Sequence, residues 1–189
     1  MKIKNKESAR LQILRCAAVL FYDKGYSDTT IRMLAAETGL NSSMVNYYFQ
    51  SKELLYVEIL KNLERPLKLL HCDTEESWMD NIADFISQSV ALIKANQLAA
   101  HLALRESIHP VSIKTKIVIE NLRSLYFKTY KTCLQNHPQN ATADFKEKEN
   151  IAFRVVCSIL KETLQTEDAE IIANLSQNLQ KNLNMVFKT

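Results

Sequence analysis

The sequence predicts an all-α chain, and three observations carry that prediction. Only two glycines, Gly25 and Gly39, occur in 189 residues, both within the first forty. Everything after them lacks the residue that tight hairpins and positive-φ turns need. Apolar residues recur at helical spacing along the chain, as in Ile13, Leu14, Ala17, Ala18, Leu20 and Phe21. The third observation is the stretch from Thr29 to Leu55, which reads as two short helices joined by a tight turn and followed at once by a longer helix.

Taken in order, the first helix spans about residues 7–24 and is the scaffold for the next two. Lys2, Lys4, Lys6, Arg10 and Arg15 face only Glu7 in the first fifteen residues, which makes the start of the chain a basic arm suited to phosphates or a minor groove. Gly25 ends that helix, and Thr29 or Thr30 supplies a hydroxyl to cap the next. Leu34 and Ala35 precede Gly39. The small Ala35 permits close helix approach, Gly39 takes the positive φ at the helix end, and Leu40 pins the turn.

The second short helix, about Ser42 to Tyr48, keeps Val45, Tyr48 and Phe49 for the core and presents Asn41, Ser42, Ser43, Asn46 and Tyr47. It has no Lys or Arg from Asn41 to Gln50, so the commonest major-groove contact, arginine on guanine, is unavailable to it. Asn46 suits adenine, Ser42 and Ser43 each suit one hydrogen bond, and Met44 suits a thymine methyl. Ser51 caps a long helix running to about Leu70, in which Pro66 invites a kink.

Phe21, Gly25-Tyr26, Thr29-Thr30, Leu34-Ala35, Gly39, Tyr48-Phe49 and Ser51-Lys52-Glu53 with Leu55 together resemble the amino-terminal domain of TetR-family transcriptional regulators. The resemblance covers about residues 6–60. It implies a three-helix helix-turn-helix DNA-binding domain at residues 1–55 and a helical ligand-binding and dimerisation domain at 56–189. On it, Lys4, Lys6, Thr29, Thr30, Arg32, Asn41, Ser42, Ser43, Asn46, Tyr47 and Lys52 are the DNA-binding set. Tyr47 matches the family tyrosine whose hydroxyl meets a phosphate, and Lys52 a lysine near the DNA backbone. The partners implied are double-stranded DNA, a small-molecule effector and a second copy of the chain.

Beyond the linker between Leu63 and Glu75, amphipathic helices are expected at about 76–96, 97–108, 112–136, 146–164 and 167–187. The third breaks off from the second at His109-Pro110, because the residue before proline avoids helical geometry. Arg105-Glu106 with His109-Pro110-Val111 faintly resembles a segment of one TetR subgroup and marks a hinge near the effector cavity. Trp78, Phe85, Tyr126 and Tyr130 are candidate cavity walls, with His101 and Arg105 as polar contacts, which suits a hydrophobic or amphipathic effector. Val155 and Ile159, with Ile172, Leu175, Leu179 and Leu183, form the expected dimer interface, two helices from each subunit stacking into a four-helix bundle.

Composition narrows the alternatives. With 47% hydrophobic and 24% charged residues, neither disorder nor a membrane protein is favoured. No apolar run reaches spanning length and no secretory signal is read, so a cytoplasmic protein is expected. A phosphate-cradling glycine loop, a nucleophile elbow and a histidine pair at metal spacing are all missing from the sequence, so no enzyme, cofactor or metal site is expected. Cys16, Cys72, Cys133 and Cys157 are widely spaced and read as buried free thiols, ahead of a redox sensor or a metal site. His71-Cys72-Asp73 is a ligand-like cluster without a partner set. Two functions compete with a ligand-released repressor: a DNA-bound module whose carboxy-terminal domain grips another protein, and an activator.

Overall fold

A computed structural model describes residues 2–73, 77–135, 137, 138 and positions 148, 149, 154, 157, 158, 161 and 162, with the backbone alone for residues 2–8. Among the described residues there are eight helices and no strand: α1 (Lys2–Asp28), α2 (Ile31–Thr38), α3 (Ser42–Phe49), α4 (Lys52–Lys61), α5 (Glu64–Leu69), α6 (Trp78–Ala95), α7 (Gln97–Ile108) and α8 (Ile113–Cys133). The all-α architecture read from the sequence is the one observed. Of the helix expected at 146–164, positions 148, 149, 154, 157, 158, 161 and 162 are described and are helical; the helix expected at 167–187 and all six positions of the expected dimer interface lie outside the described residues.

Two compact units are present, one of residues 1–63 and 98–120, the other of 64–97 and 121–189. They interleave along the chain, whereas the sequence reading drew one division after residue 55. In the first unit α2 packs between α1 and α3, and α4 returns to both α1 and α3. Its core holds Ile13, Ala17, Phe21, Leu34, Val45, Leu55 and Leu60, each fully buried. A buried Leu, Ile or Phe stabilises by about 1.5–3 kcal/mol, so this set outweighs the weak intrinsic helicity of eight-residue helices.

Local chemistry sets the helix ends. Gly25 breaks α1 with φ 82° and ψ 168°, and Gly39 closes α2 at φ 66°. There the Gly39 amide donates to the Ala36 carbonyl at 3.3 Å and Leu40 to Ala35 at 3.1 Å, the paired bonds of a Schellman ending. Ser51 accepts the Leu54 amide at 3.1 Å and starts α4.

The long helix expected from Ser51 to Leu70 is two helices. α4 stops at Lys61, a turn occupies Asn62 and Leu63, and Pro66 stands at the third position of α5. Proline has no amide proton to return to the carbonyl four residues earlier, and that carbonyl belongs to Asn62, where the helix opens. α1 is also longer than expected, its backbone helical from Lys2.

In the second unit Ile82, Phe85 and Ile86 of α6 are buried, as are Tyr130 and Cys133 of α8 and the following Leu134. Phe85 packs on Tyr126 with ring centres 4.8 Å apart and on Tyr130 at 6.0 Å. No described helix is long and apolar enough to cross a membrane.

Candidate nucleic-acid interface

The candidate interface is built on α3. Val45 and Phe49, one turn apart, are buried and fix the helix to the core. Asn46 and Tyr47 point away from that face and are exposed, Tyr47 by 67%. Tyr48, expected in the core, is half-buried, its ring 5.4 Å from that of Tyr47 and 6.4 Å from Phe49. The helix start is closed by Asn41, whose Oδ1 accepts the Met44 amide at 2.8 Å and the Ser43 hydroxyl at 2.6 Å. Asn41 is therefore the capping residue of α3 as well as a surface one, and Ser43 is tied to it. Ser42 and Met44 are half-buried.

α3 ends unusually. Gln50 has φ 63° and ψ −41°, and the Ser51 amide donates to the Phe49 carbonyl at 2.6 Å. That is a three-residue turn with a positive-φ centre, a strained geometry for a residue bearing a Cβ. It turns the chain from the exposed helix directly into the cap of α4.

The threonine pair divides its labour. Thr30 is exposed and caps α2, its hydroxyl accepting the Met33 amide at 3.2 Å. Thr29, included in the DNA-binding set from the sequence, is fully buried, and its hydroxyl donates to the carbonyls of Gly25 at 2.8 Å and Leu20 at 3.1 Å. It closes the turn after the break in α1 and has no surface to offer a ligand. Arg32, one turn into α2, is exposed. The side chains of Lys4 and Lys6 lie outside the described residues.

Lys52 also departs from its expected role. Its ammonium donates to the carbonyls of Tyr26 at 2.8 Å, Thr29 at 2.9 Å and Ser27 at 3.3 Å. It also lies 4.3 Å from the centre of the Tyr26 ring. An ammonium has three protons, and three carbonyls take them. A lysine in the first turn opposes the helix dipole, and here those carbonyls offset the charge. Lys52 braces the turn before α2 against α4.

Two further residues tie this frame together, Gln12 unread in the sequence and Arg10 read there only as part of the basic arm. Arg10 pairs with Glu58 across α1 and α4 and lies 5.3 Å from the Phe49 ring centre. Gln12 donates to the Thr38 carbonyl at 3.0 Å. Each is a polar residue whose partner is distant in sequence, and helical periodicity does not reveal such pairs.

The candidate effector residues are divided between the two compact units. Phe85, Tyr126 and Tyr130 come together in the second unit, where the Ser89 and Tyr126 hydroxyls lie 2.9 Å apart. Trp78 lies against His137, with ring centres 4.6 Å apart and the rings tilted by 59°. His101 and Arg105 belong to the first unit. His101 lies edge-on to Tyr22 at 5.2 Å, and Arg105 donates to the carbonyls of Phe21 and Tyr22, both at 3.1 Å. They serve α1 there. Beside Arg105, the buried Glu106 accepts the Tyr56 hydroxyl at 3.1 Å and the Val111 amide at 3.0 Å. Burial, and next Glu106, hold the Tyr56 phenol protonated far above the ordinary tyrosine range.

Residues 13–59 match the profile of "Bacterial regulatory proteins, tetR family". The matched segment runs from the core of α1 through both short helices and most of α4. The amino-terminal domain is of the TetR family. This TetR-type domain is also where the chain is 36% identical to the HTH-type transcriptional repressor KstR2 of Mycolicibacterium smegmatis, over 55 residues that make 29% of this chain and 27% of that one. The chain thus spans about a quarter of the length of the curated relative it matches.

Solved structures extend the likeness beyond the TetR-type domain. A tetR-family regulatory protein from Rhodococcus RHA1 superposes with a TM-score of 0.74 at 15% identity, covering 95% of each chain. HlyIIR, a hemolysin II transcriptional regulator, superposes with a TM-score of 0.67 at 23% identity, covering 94% of this chain and 98% of that one. At such identities the likeness is one of fold.

Proposed function

We propose that this protein is a transcriptional regulator that binds double-stranded DNA as a homodimer, reading a palindromic operator and releasing it on binding a small hydrophobic or amphipathic effector. The observation that carries the reading is the two-sided character of α3. Val45 and Phe49 anchor one side, and Asn46 and Tyr47 are presented on the other. Asn46 is the base-reading residue, through the paired amide contacts that suit adenine. Tyr47, Thr30 and Arg32 reach phosphates and fix the register. Lys52 acts at one remove, by holding the turn that sets α2.

Two copies related by a twofold axis read half-sites about one helical turn apart. The dimer is formed by the residues between 151 and 187, as the resemblance to TetR-family regulators implies. The second unit, with its Phe85, Tyr126 and Tyr130 cluster, receives the effector. Repression follows from occupancy at a promoter, and the repressor KstR2 favours that over activation.

Selection of bound sequences from a randomised duplex library tests this reading. A palindromic enriched site is the expected result. A folded protein that enriches no sequence at any salt concentration overturns it and favours a protein-binding module instead.

A further inference from the structure

We infer that Cys72 and Cys133 form a reversible dithiol–disulfide pair, a modification site through which a peroxide-type oxidant changes the affinity of the protein for DNA. The inference deepens the proposed function and rests on it for the DNA-binding consequence. The two cysteines, 61 residues apart in sequence, are bonded, with Cα atoms 5.3 Å apart, inside the range a disulfide requires. This corrects the expectation of four free thiols; Cys16 and Cys157 are the free ones, Cys16 half-buried and Cys157 exposed.

The surroundings build the pair. The segment carrying Cys72 is held to α6 on both sides. The His71 amide donates to Gln88 Oε1 at 3.2 Å, and Gln88 Nε2 donates back to the His71 carbonyl at 3.0 Å. One residue past Cys72, Asn81 Nδ2 donates to the Asp73 carbonyl at 2.6 Å. Cys133 is buried on the last turn of α8. The Thr129 carbonyl lies 3.6 Å from the Cys72 sulfur and 3.3 Å from the Cys133 sulfur. When the bond opens, that carbonyl is an acceptor for a thiol proton, so both redox states have a place for the sulfurs.

A protein that works on DNA inside a cell meets a thiol-reducing milieu, where disulfides are redox-sensing or catalytic more often than permanent. Cys72 is half-buried and Cys133 fully buried, so Cys72 is the sulfur that an oxidant reaches first. Its thiolate attacks the peroxide, an S–O bond forms, the O–O bond breaks, and water or an alcohol leaves. The Cys133 thiolate then attacks the Cys72 sulfur, the S–S bond forms, the S–O bond breaks, and hydroxide leaves as water on taking up a proton. Two thiols lose two electrons and the peroxide gains them. A dithiol reductant reverses the step by exchange.

The bond has a route to the DNA-binding frame. α8 carries Cys133 at its carboxy-terminal end and, near its start, Lys114, which pairs with Glu53 of α4 at 2.7 Å. The bond and the Lys114–Glu53 pair thus share one continuous helix, Ile113–Cys133.

The test is thiol mapping and duplex affinity on the full chain. After dithiothreitol, four thiols titrate in denaturant; after hydrogen peroxide, two are lost into a Cys72–Cys133 peptide pair, and dithiothreitol restores them. Oxidised and reduced forms then differ in duplex affinity by about 5–150-fold, and Cys72→Ser and Cys133→Ala each abolish the difference. Failure of the pair to form, preferential linkage of other cysteines, or a bond that dithiothreitol cannot open in the folded chain overturns the inference. So do equal affinities of the two forms. If neither form binds any duplex, the DNA reading fails, while the thiol map still decides the redox pair by itself.

Discussion

The Lys52 ammonium donates to the Thr29 carbonyl at 2.9 Å, so the first residue of α4 is tied to the backbone from which α2 departs. With the Tyr26 and Ser27 carbonyls also bound to it, this cation orients the short helices rather than reaching out from them. Lys52→Met is expected to lower unfolding stability by about 1–3 kcal/mol, the scale of charge-assisted hydrogen bonds at a partly exposed site. It should weaken duplex binding without changing the dependence of log K on log salt. A phosphate contact would instead reduce that slope by about one. Titrations at four salt concentrations separate the two.

Gln50 stores strain at the end of α3. A glycine adopts its φ of 63° without the Cβ penalty, so Gln50→Gly is expected to raise stability by about 1 kcal/mol, the strain relieved less the added chain entropy. Urea denaturation reads this as a higher midpoint at unchanged slope. A lowered midpoint would show that the Gln50 side chain contributes more than its backbone costs.

The tilted ring pair Trp78 and His137 gives an optical probe of acid behaviour. Burial, and next the Lys148 charge, disfavour the imidazolium and lower the His137 pKa below the ordinary histidine value. The folded state therefore binds fewer protons than the unfolded one. The stability this contributes is present above the unfolded value of about 6.5 and is lost as pH falls through the lower folded pKa. Emission of the sole tryptophan should be quenched with a midpoint below 6.5, as the ring beside it becomes charged. His137→Gln should remove the transition; a midpoint above 6.5 would reverse the assignment.

Leu179→Glu tests the dimer. A charge in the proposed helix pair should produce monomers in sedimentation at micromolar concentration and weaken binding to a palindrome far more than to a single half-site. An unchanged dimer moves the interface elsewhere.

The helix-turn-helix was legible because its grammar is local. Gly39, the Ser51 cap, and the Val45 and Phe49 spacing each declare a backbone state within a few residues. The break at Asn62 was half-legible, since Pro66 announces a fault but its cost falls four residues upstream. Side-chain destinations were not legible. Whether Thr29 or Thr30 faces inward depends on how α1 ends at Gly25, and whether Lys52 faces solvent or carbonyls depends on where residues 26–29 return. Cys72 and Cys133 meet only because the segment before α6 reaches the end of α8, and Arg105 finds the Phe21 and Tyr22 carbonyls across more than eighty residues of chain. Residues that meet through tertiary packing leave no trace in periodicity.

The central claim is that α3 reads bases through Asn46, and the affinity of wild-type and Asn46→Ala protein for the enriched site and its single-base variants tests it most directly. Asn46→Ala is expected to lose about 1–3 kcal/mol on the preferred site, with discrimination relaxed at one position in each half-site and unaltered elsewhere. An equal loss on every variant, or no loss at all, would contradict it.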